Sequence, residues 1–378
     1  MVFVSRPRTF TPAIFVRLRD TGRENFAKLK MKLYLDEMCR VNFPGDTING
    51  LLCIRECFDF SLEPRIRVSG FTRIWKRGLT NNVVTNGETD EYLLFFNGMA
   101  ELNKEDSTHI TNMSLIDEIE GYSKIFKFNI ILPNNLPSSH EVPFGHTRYK
   151  IEAHYNGLTT FDYFNVNQWV GLDKRNDTID KRAIFSVPLY AFCQSIEMIL
   201  NLNQSYYLPG ETVYVIAMIQ NNSRTDILFS KIVIVQTTKY WKTRQLLPIK
   251  HVRIIAEGIR GYISSGNKQI WDSHPLNLPA IIPTTNISNN PFNYFEVKYK
   301  IKMLITLKNS NKKKVLKQHL FIGNWDKSIA TDGKQFIDIL QNNDTVYKVG
   351  VKDCSIIKTE NNNIDFVPKY MVYEKSQV

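Results

Sequence analysis

The sequence predicts an all-β protein built as two tandem β-sandwich domains, with one short helix at most. Three observations lead there. One phrase is written twice, as "VNFPGDTINGLLCI" at 41–54 and "YYLPGETVYVIAMI" at 206–219, each an aromatic or apolar lead-in, a Pro-Gly-acid turn and an alternating run. Two further landmarks follow each copy in the same order: "FKFNIILP" at 126–133 with "RYKIEAHY" at 148–155, then "LNLPAIIP" at 276–283 with "KYKIKMLI" at 298–305. Sixteen positions separate Pro133 from Tyr149, and sixteen separate Pro283 from Tyr299. Finally, apolar residues recur at every second position in short runs, the period of a strand with one buried and one wet face.

At 378 residues the chain exceeds one ordinary core, since domains run about 100 to 200 residues. A unit written twice at this spacing is a pair of related domains, because solenoid repeats have periods of about 20 to 50 residues. Each turn has a local reason: Pro44 and Pro209 preset φ at the first corner and Gly45 and Gly210 accept the positive φ that follows, with Asp46 and Glu211 as the third turn residues. In "FEVKYKIKMLITL", Val297, Tyr299, Ile301 and Met303 alternate with Lys298, Lys300 and Lys302. "EPRIRVSGFTRIW", "FKFNIIL" and "TRYKIEAHY" behave alike, and such strands broken by Pro, Gly and Asn point to antiparallel sandwiches.

The single helix expected is "NMSLIDEIEGY", which Ser114 and Asp117 would open and Gly121 would end. The charged stretch Asp173 to Arg182 reads as a linker, and "QNNDTVY" and "TENNNIDF" read as a polar, loosely held tail. The expected organisation is therefore a basic extension over 1–25, a sandwich over 26–184, a second over 185–345, and a tail over 346–378.

Composition narrows the function. Hydrophobic residues make up 43% and charged residues 22%, as in a folded domain rather than a disordered chain. No apolar run reaches the roughly 18 residues of a spanning helix, and Arg6, Pro7, Arg8 and Pro12 interrupt the start before a signal peptide could form. With five cysteines, an odd number, the expectation is a cytoplasmic protein. A net charge of +11 favours an acidic partner: nucleic acid, anionic lipid or a phosphorylated protein. Nucleic acid is set aside, because no aromatic base-stacking motif, zinc finger or recognition helix accompanies the basic strands.

Catalysis finds no footing. The seven histidines form no close ligand pair; His146 and His154 would lie about 26 Å apart on one strand, and Cys53 and Cys57 about 13 Å. No G-x-S-x-G elbow or Walker A loop is present. No enzyme, metal or cofactor is expected.

In this order the landmarks resemble the arrestin superfamily, and within it the arrestin domain-containing proteins, or α-arrestins. The first half carries "FPGDTING", Gly121 with "FKFNIILPNNLPSSHE", and "FGHTRYKIEAHY"; the second carries "YYLPGETVYVIAMIQNNS" and "HLFIGN". The resemblance implies two immunoglobulin-like sandwiches, the arrestin N- and C-domains, joined by a short hinge. It also implies a cytoplasmic adaptor that binds membrane receptor or transporter tails, is recruited to the plasma membrane or endosomes, and steers protein transport, endocytosis and sorting.

Family members recruit WW-domain ubiquitin ligases of the HECT type through P-P-x-Y. This chain has no P-P-x-Y, and its nearest approach is Val367, Pro368, Lys369 and Tyr370, V-P-x-Y. Pro368 would hold an extended segment and place Tyr370 for a WW groove. The same segment reads equally well as Phe366, Tyr370 and Tyr373 packing the tail on a sandwich.

Between Glu296 and Asp326 there is no acid, while eight lysines fall there, including Lys312, Lys313 and Lys314 at the tip of an expected hairpin. That run is either a solvated β face whose lysines guard the sheet or a docking site for anionic lipid or phosphate, where each charge would contribute on the order of 1 kcal/mol. An arrestin-fold sorting coat or a lipid-binding scaffold without ligase recruitment is the alternative function.

Overall fold

The computed structural model describes residues 31–35, 41–55, 63–74, 91–105, 122, 124–171, 179–189, 192–241, 248–285, 294–308, 313–324, 339–342, 345–354 and 366–375. Every regular element among them is a strand. The helix expected in "NMSLIDEIEGY" and the extension over 1–25 fall outside the described residues. The described residues divide into two units, one drawn from Met1–Thr72, Tyr92–Asn134 and Thr147–Val166, the other from Arg73–Glu91, Asn135–His146 and Asn167–Val378.

The strands met first along the chain are β1 (Met31–Leu35), β2 (Val41–Asn42), β3 (Thr47–Ile54), β4 (Arg65–Ile74), β5 (Glu91–Met99), β6 (Glu101–Glu105), β7 (Lys124–Ile131), β8 (His140–Val142), β9 (Gly145–Tyr155) and β10 (Leu158–Val166). They form the sheets β1-β3-β7-β6 and β2-β10-β9-β4-β5, with β8 paired to β9. Leu52, Ile54, Ile66, Val68, Tyr149 and Ile151 are wholly buried, so the alternating residues of both sheets supply the core.

The remaining strands are β11 (Ile179–Leu189), β12 (Phe192–Leu202), β13 (Tyr206–Tyr207), β14 (Thr212–Asn222), β15 (Ile227–Tyr240), β16 (Ile249–Arg260), β17 (Lys268–Asn277), β18 (Phe295–Leu307), β19 (Lys313–Ile322), β20 (Ile339–Asn342), β21 (Thr345–Asp353) and β22 (Lys369–Lys375). They make the sheets β11-β12-β14-β17, β13-β19-β18-β15-β16 and β20-β21-β22. Val213, Val215, Ile232, Ile234, Trp271, Tyr299, Ile301 and Met303 are buried between them.

The written repeat is a structural repeat down to single hydrogen bonds. In the first turn the Phe43 amide donates to the Asp46 carboxylate at 3.0 Å. In the second the Leu208 amide donates to Glu211 at 2.8 Å. Gly45 N–H reaches Leu132 O at 3.1 Å, and Gly210 N–H reaches Leu278 O at 2.9 Å. Both glycines hold positive φ, +87° and +92°, as a turn of this hand requires. The lead-in strands β2 and β13 then pair in parallel with β10 and β19 in the two copies. The acid closes each turn by accepting the amide three residues before it.

Two expectations about chain organisation are corrected. The stretch read as linker to Arg182 is strand from Ile179, because β11 pairs with β12 along its whole length and a backbone ladder holds it without apolar periodicity. The tail is not loose either: β21 and β22 pair from Tyr347↔Lys375 to Asp353↔Lys369, and Tyr370, Met371, Val372 and Tyr373 are all buried. Four consecutive apolar residues bury both faces of β22, which masks the period-2 signal.

One half-buried acid gives a stability test. On β10, burial pushes the Asp162 carboxyl up to about 6, against the pull of the Tyr163 N–H that donates to Oδ1, and its Oδ2 has no partner. The folded state therefore holds a proton that the unfolded chain releases near 3.8. Stability falls as pH rises from about 4 to about 6, and the penalty is complete above that. Asp162→Asn is expected to gain on the order of 2 to 3 kcal/mol at pH 7 and nothing near pH 3.5. Urea unfolding of both proteins at the two pH values checks it.

Candidate functional site

The second unit's sheet carries a lysine field on its outer face. Along β18 the residues Val297, Tyr299, Ile301, Met303 and Ile305 point into the core, so Lys298, Lys300 and Lys302 point out, as the alternation predicts. Register then decides what stands beside them. Lys300 lies opposite His319 and Lys302 opposite Lys317 on β19. On the other side Lys300 faces Val235 and Lys302 faces Val233 on β15, whose partners on β16 are Ile254 and Glu257. Two rows further along, Lys239 pairs across with Lys250 and with Glu296. Residues from four strands meet on one surface.

The charges are crowded. Burial, then Lys317, Lys302, Lys250 and Lys239 in that order, hold the Lys300 ammonium below the usual lysine range. His319 is likewise held below the ordinary histidine value, by burial first and then by Lys300, Lys298 and Lys317. Glu296 neutralises part of the field, reaching Lys298 at 2.5 Å and Lys239 at 3.3 Å, and Glu257 takes Lys231 at 2.5 Å. Among the described residues no carboxylate pairs with Lys250, Lys300, Lys302 or Lys317. Val233 and Val235 share that face yet are only 4% exposed. Val252 and Ile254 on β16 are about half exposed at the margin of the same face.

The lysine run singled out in the sequence lands differently. Lys312 lies outside the described residues. Lys313 opens β19 opposite Thr306 and is exposed, whereas Lys314, opposite the inward-facing Ile305, belongs to the other face and is half-buried. Neighbours in a strand point apart, so three consecutive lysines cannot share a strand face. The concentration of charge lies at Lys300, Lys302 and Lys317 instead. Lys298, Lys300 and Lys302 were legible from period two; Lys239, Lys250 and His319 were not, because register across strands is not written in any one segment.

The tail motif lands in the interior. Tyr370 is 1% exposed and its hydroxyl donates to Ser139 O at 2.9 Å. Pro368 is buried, its carbonyl accepting from the Cys354 amide at 2.9 Å, and Val367 is half-buried. Tyr373 binds twice more, its amide to Pro209 O at 2.8 Å and its hydroxyl to Asn324 O at 2.5 Å. A WW domain has no access to this tyrosine while β22 stays in its sheet. Of the two sequence readings of Tyr370, the packed one describes this structure.

The chain thus combines two sandwiches with duplicated turns and matching parallel lead-in strands. Residues 31–168 match the family described as Arrestin (or S-antigen), N-terminal domain, and residues 194–325 match Arrestin (or S-antigen), C-terminal domain. The chain belongs to the arrestin superfamily. Between them the two matches cover most of the sequence, and the lysine field lies within the arrestin C-terminal domain. No curated protein sequence matches this arrestin. An arrestin-like adaptor or scaffold role follows from the two domains, and the family is in general one of non-enzymatic adaptors that bind receptors and trafficking partners.

Proposed function

We propose that this arrestin is an adaptor of the α-arrestin type that works against membranes, with the outer face of its C-terminal domain held to an anionic surface. The observation that carries the reading is the lysine field, in which Lys250, Lys300, Lys302 and Lys317 crowd one another without a described counter-ion. Crowding of like charge is unfavourable until an anion arrives, so a polyanionic surface gains more here than at scattered lysines. The half-exposed Val252 and Ile254 beside the field suit a bilayer, whose interface accepts apolar side chains next to lysines.

In this reading the cytoplasmic protein is recruited to the plasma membrane or endosomes, engages receptor or transporter tails, and directs their endocytosis and sorting. Unpaired N–H and C=O groups on the edge strands of the sandwiches are where an extended tail adds by backbone pairing. Recruitment of a HECT ligase through Val367, Pro368 and Tyr370 requires β22 to leave its sheet first; the sorting-coat alternative does not.

Co-sedimentation with vesicles tests the surface. Lys300→Gln, Lys302→Gln and Lys317→Gln together remove about 3 kcal/mol of attraction at roughly 1 kcal/mol each, so binding to phosphatidylserine vesicles is expected to weaken at least about tenfold at 0.1 M salt. Undiminished binding of the triple variant would remove the proposal.

A further inference from the structure

Beneath the lysine face, the inner side of the same sheet is polar at one end, and it holds a cation without an anion. Gln236 on β15 lies between Arg253 on β16 and Tyr299 on β18 in one row. Arg253 Nε donates to Gln236 Oε1, Gln236 Nε2 donates to Tyr299 Oη at 2.9 Å, and Tyr299 donates to Ile282 O at 2.5 Å. The relay occupies one guanidinium nitrogen and fixes Gln236. Arg253 is 6% exposed, and its Nη1 and Nη2 are buried with no partner. Among the described residues no carboxylate pairs with it.

The next row adds a second unused polar atom. Thr238, two residues along β15 and so about 7 Å from Gln236, meets His140 Nε2 at 3.3 Å. His140 is wholly buried, stacked on Phe295 at 5.3 Å and Tyr240 at 6.4 Å, and its Nδ1 has no partner. Burial first, then Arg253 and His251, keep this imidazole neutral. When the Thr238 hydroxyl donates to Nε2, the single ring hydrogen sits on Nδ1 as a donor. Tyr370 closes the layer from β22, bonded to the carbonyl of Ser139 beside His140.

A buried guanidinium without an anion costs several kcal/mol, and its two free nitrogens form a fork that matches the paired oxygens of a carboxylate or phosphate. We propose that Arg253 is the cation of a closed oxyanion site in the second of the two units, with His140, which belongs to the same unit, as its second donor. The ligand is a small oxyanion or the anionic group of a larger molecule. The site is independent of the membrane-docking reading, since it lies on the opposite face of the sheet from Lys300 and Lys302.

The test is thermal unfolding of the full chain while inorganic phosphate replaces chloride at a constant ionic strength of 0.5 M, where pairing at exposed lysines is screened. Acetate in a parallel series distinguishes a carboxylate site from a phosphate site. The wild-type midpoint is expected to rise with one of these anions as the logarithm of its concentration. Arg253→Met is expected to be no less stable than wild type in chloride and to show no rise. Equilibrium dialysis of the same anion into wild-type protein needs no variant, and one ion per chain is expected. Wild-type midpoints indifferent to both anions, no retained ion, or an equal rise in Arg253→Met would each overturn the site.

Discussion

Gly210→Val is expected to destabilise the C-terminal domain by about 3 kcal/mol or more, while Gly45→Val at the equivalent turn costs about 1 to 2 kcal/mol. Both glycines hold positive φ, so any β-branched residue is strained at either position. The difference comes from what stands over the turn. A Cβ on Gly210 would lie 2.5 Å from Val372 Cγ1, 2.7 Å from Tyr373 O and 2.9 Å from Tyr373 N, two of which are backbone. β22 must move away, and the Tyr373 N–H bond to Pro209 O goes with it. On Gly45 the new atom meets, among the described residues, only Asn134 Oδ1 at 2.8 Å, the end of a side chain that can rotate. Denaturant midpoints of the two variants measure the asymmetry, and equal losses would mean that β22 does not rest on the second turn.

Tyr370→Ala is expected to cost about 3 to 5 kcal/mol, the usual range for emptying a buried aromatic site, whereas Tyr370→Phe loses only the bond to Ser139 O, about 1 kcal/mol. A tyrosine in a loose tail would cost nothing to remove. The same burial separates a peptide from the protein. A peptide covering Asn361 to Val378 presents V-P-x-Y freely, so any WW domain that binds it is expected to bind the intact chain at least a hundredfold more weakly. Equal affinity for peptide and protein would show that β22 leaves its sheet readily, and would favour ligase recruitment.

These residues also mark how far the sequence could be read. The duplicated turn was legible because Pro, Gly and an acid each have one stereochemical task there, and the hydrogen bonds from Phe43 and Leu208 to the acids carry it out in both copies. β18 was legible because its lysines alternate strictly with core residues. β22 was not, since Tyr370 to Tyr373 are apolar at every position and are preceded by Asn-rich stretches that resemble an unstructured tail. β11 was hidden by its charges, because a strand held mainly by pairing need not alternate.

The site divides the same way. Lys298, Lys300 and Lys302 could be placed on one face from a single segment, but their crowding with Lys239, Lys250, Lys317 and His319 depends on pairing among β15, β16, β18 and β19. Arg253 reads in the sequence as one more surface cation between Val252 and Ile254. Parity turns it inward instead, because Val252 and Ile254 occupy the outer face. The pattern is inverted there, with the aliphatic residues half exposed and the cation buried.

Lysine-modification footprinting with and without phosphatidylserine vesicles tests the docking face most directly, because it reports position as well as binding. Lys250, Lys300, Lys302 and Lys317 are expected to be labelled in the free protein and shielded together on vesicles, while Lys150 and Lys352, which stand elsewhere in ion pairs, keep their free-state labelling. Vesicle binding that leaves Lys300, Lys302 and Lys317 fully reactive would contradict the account.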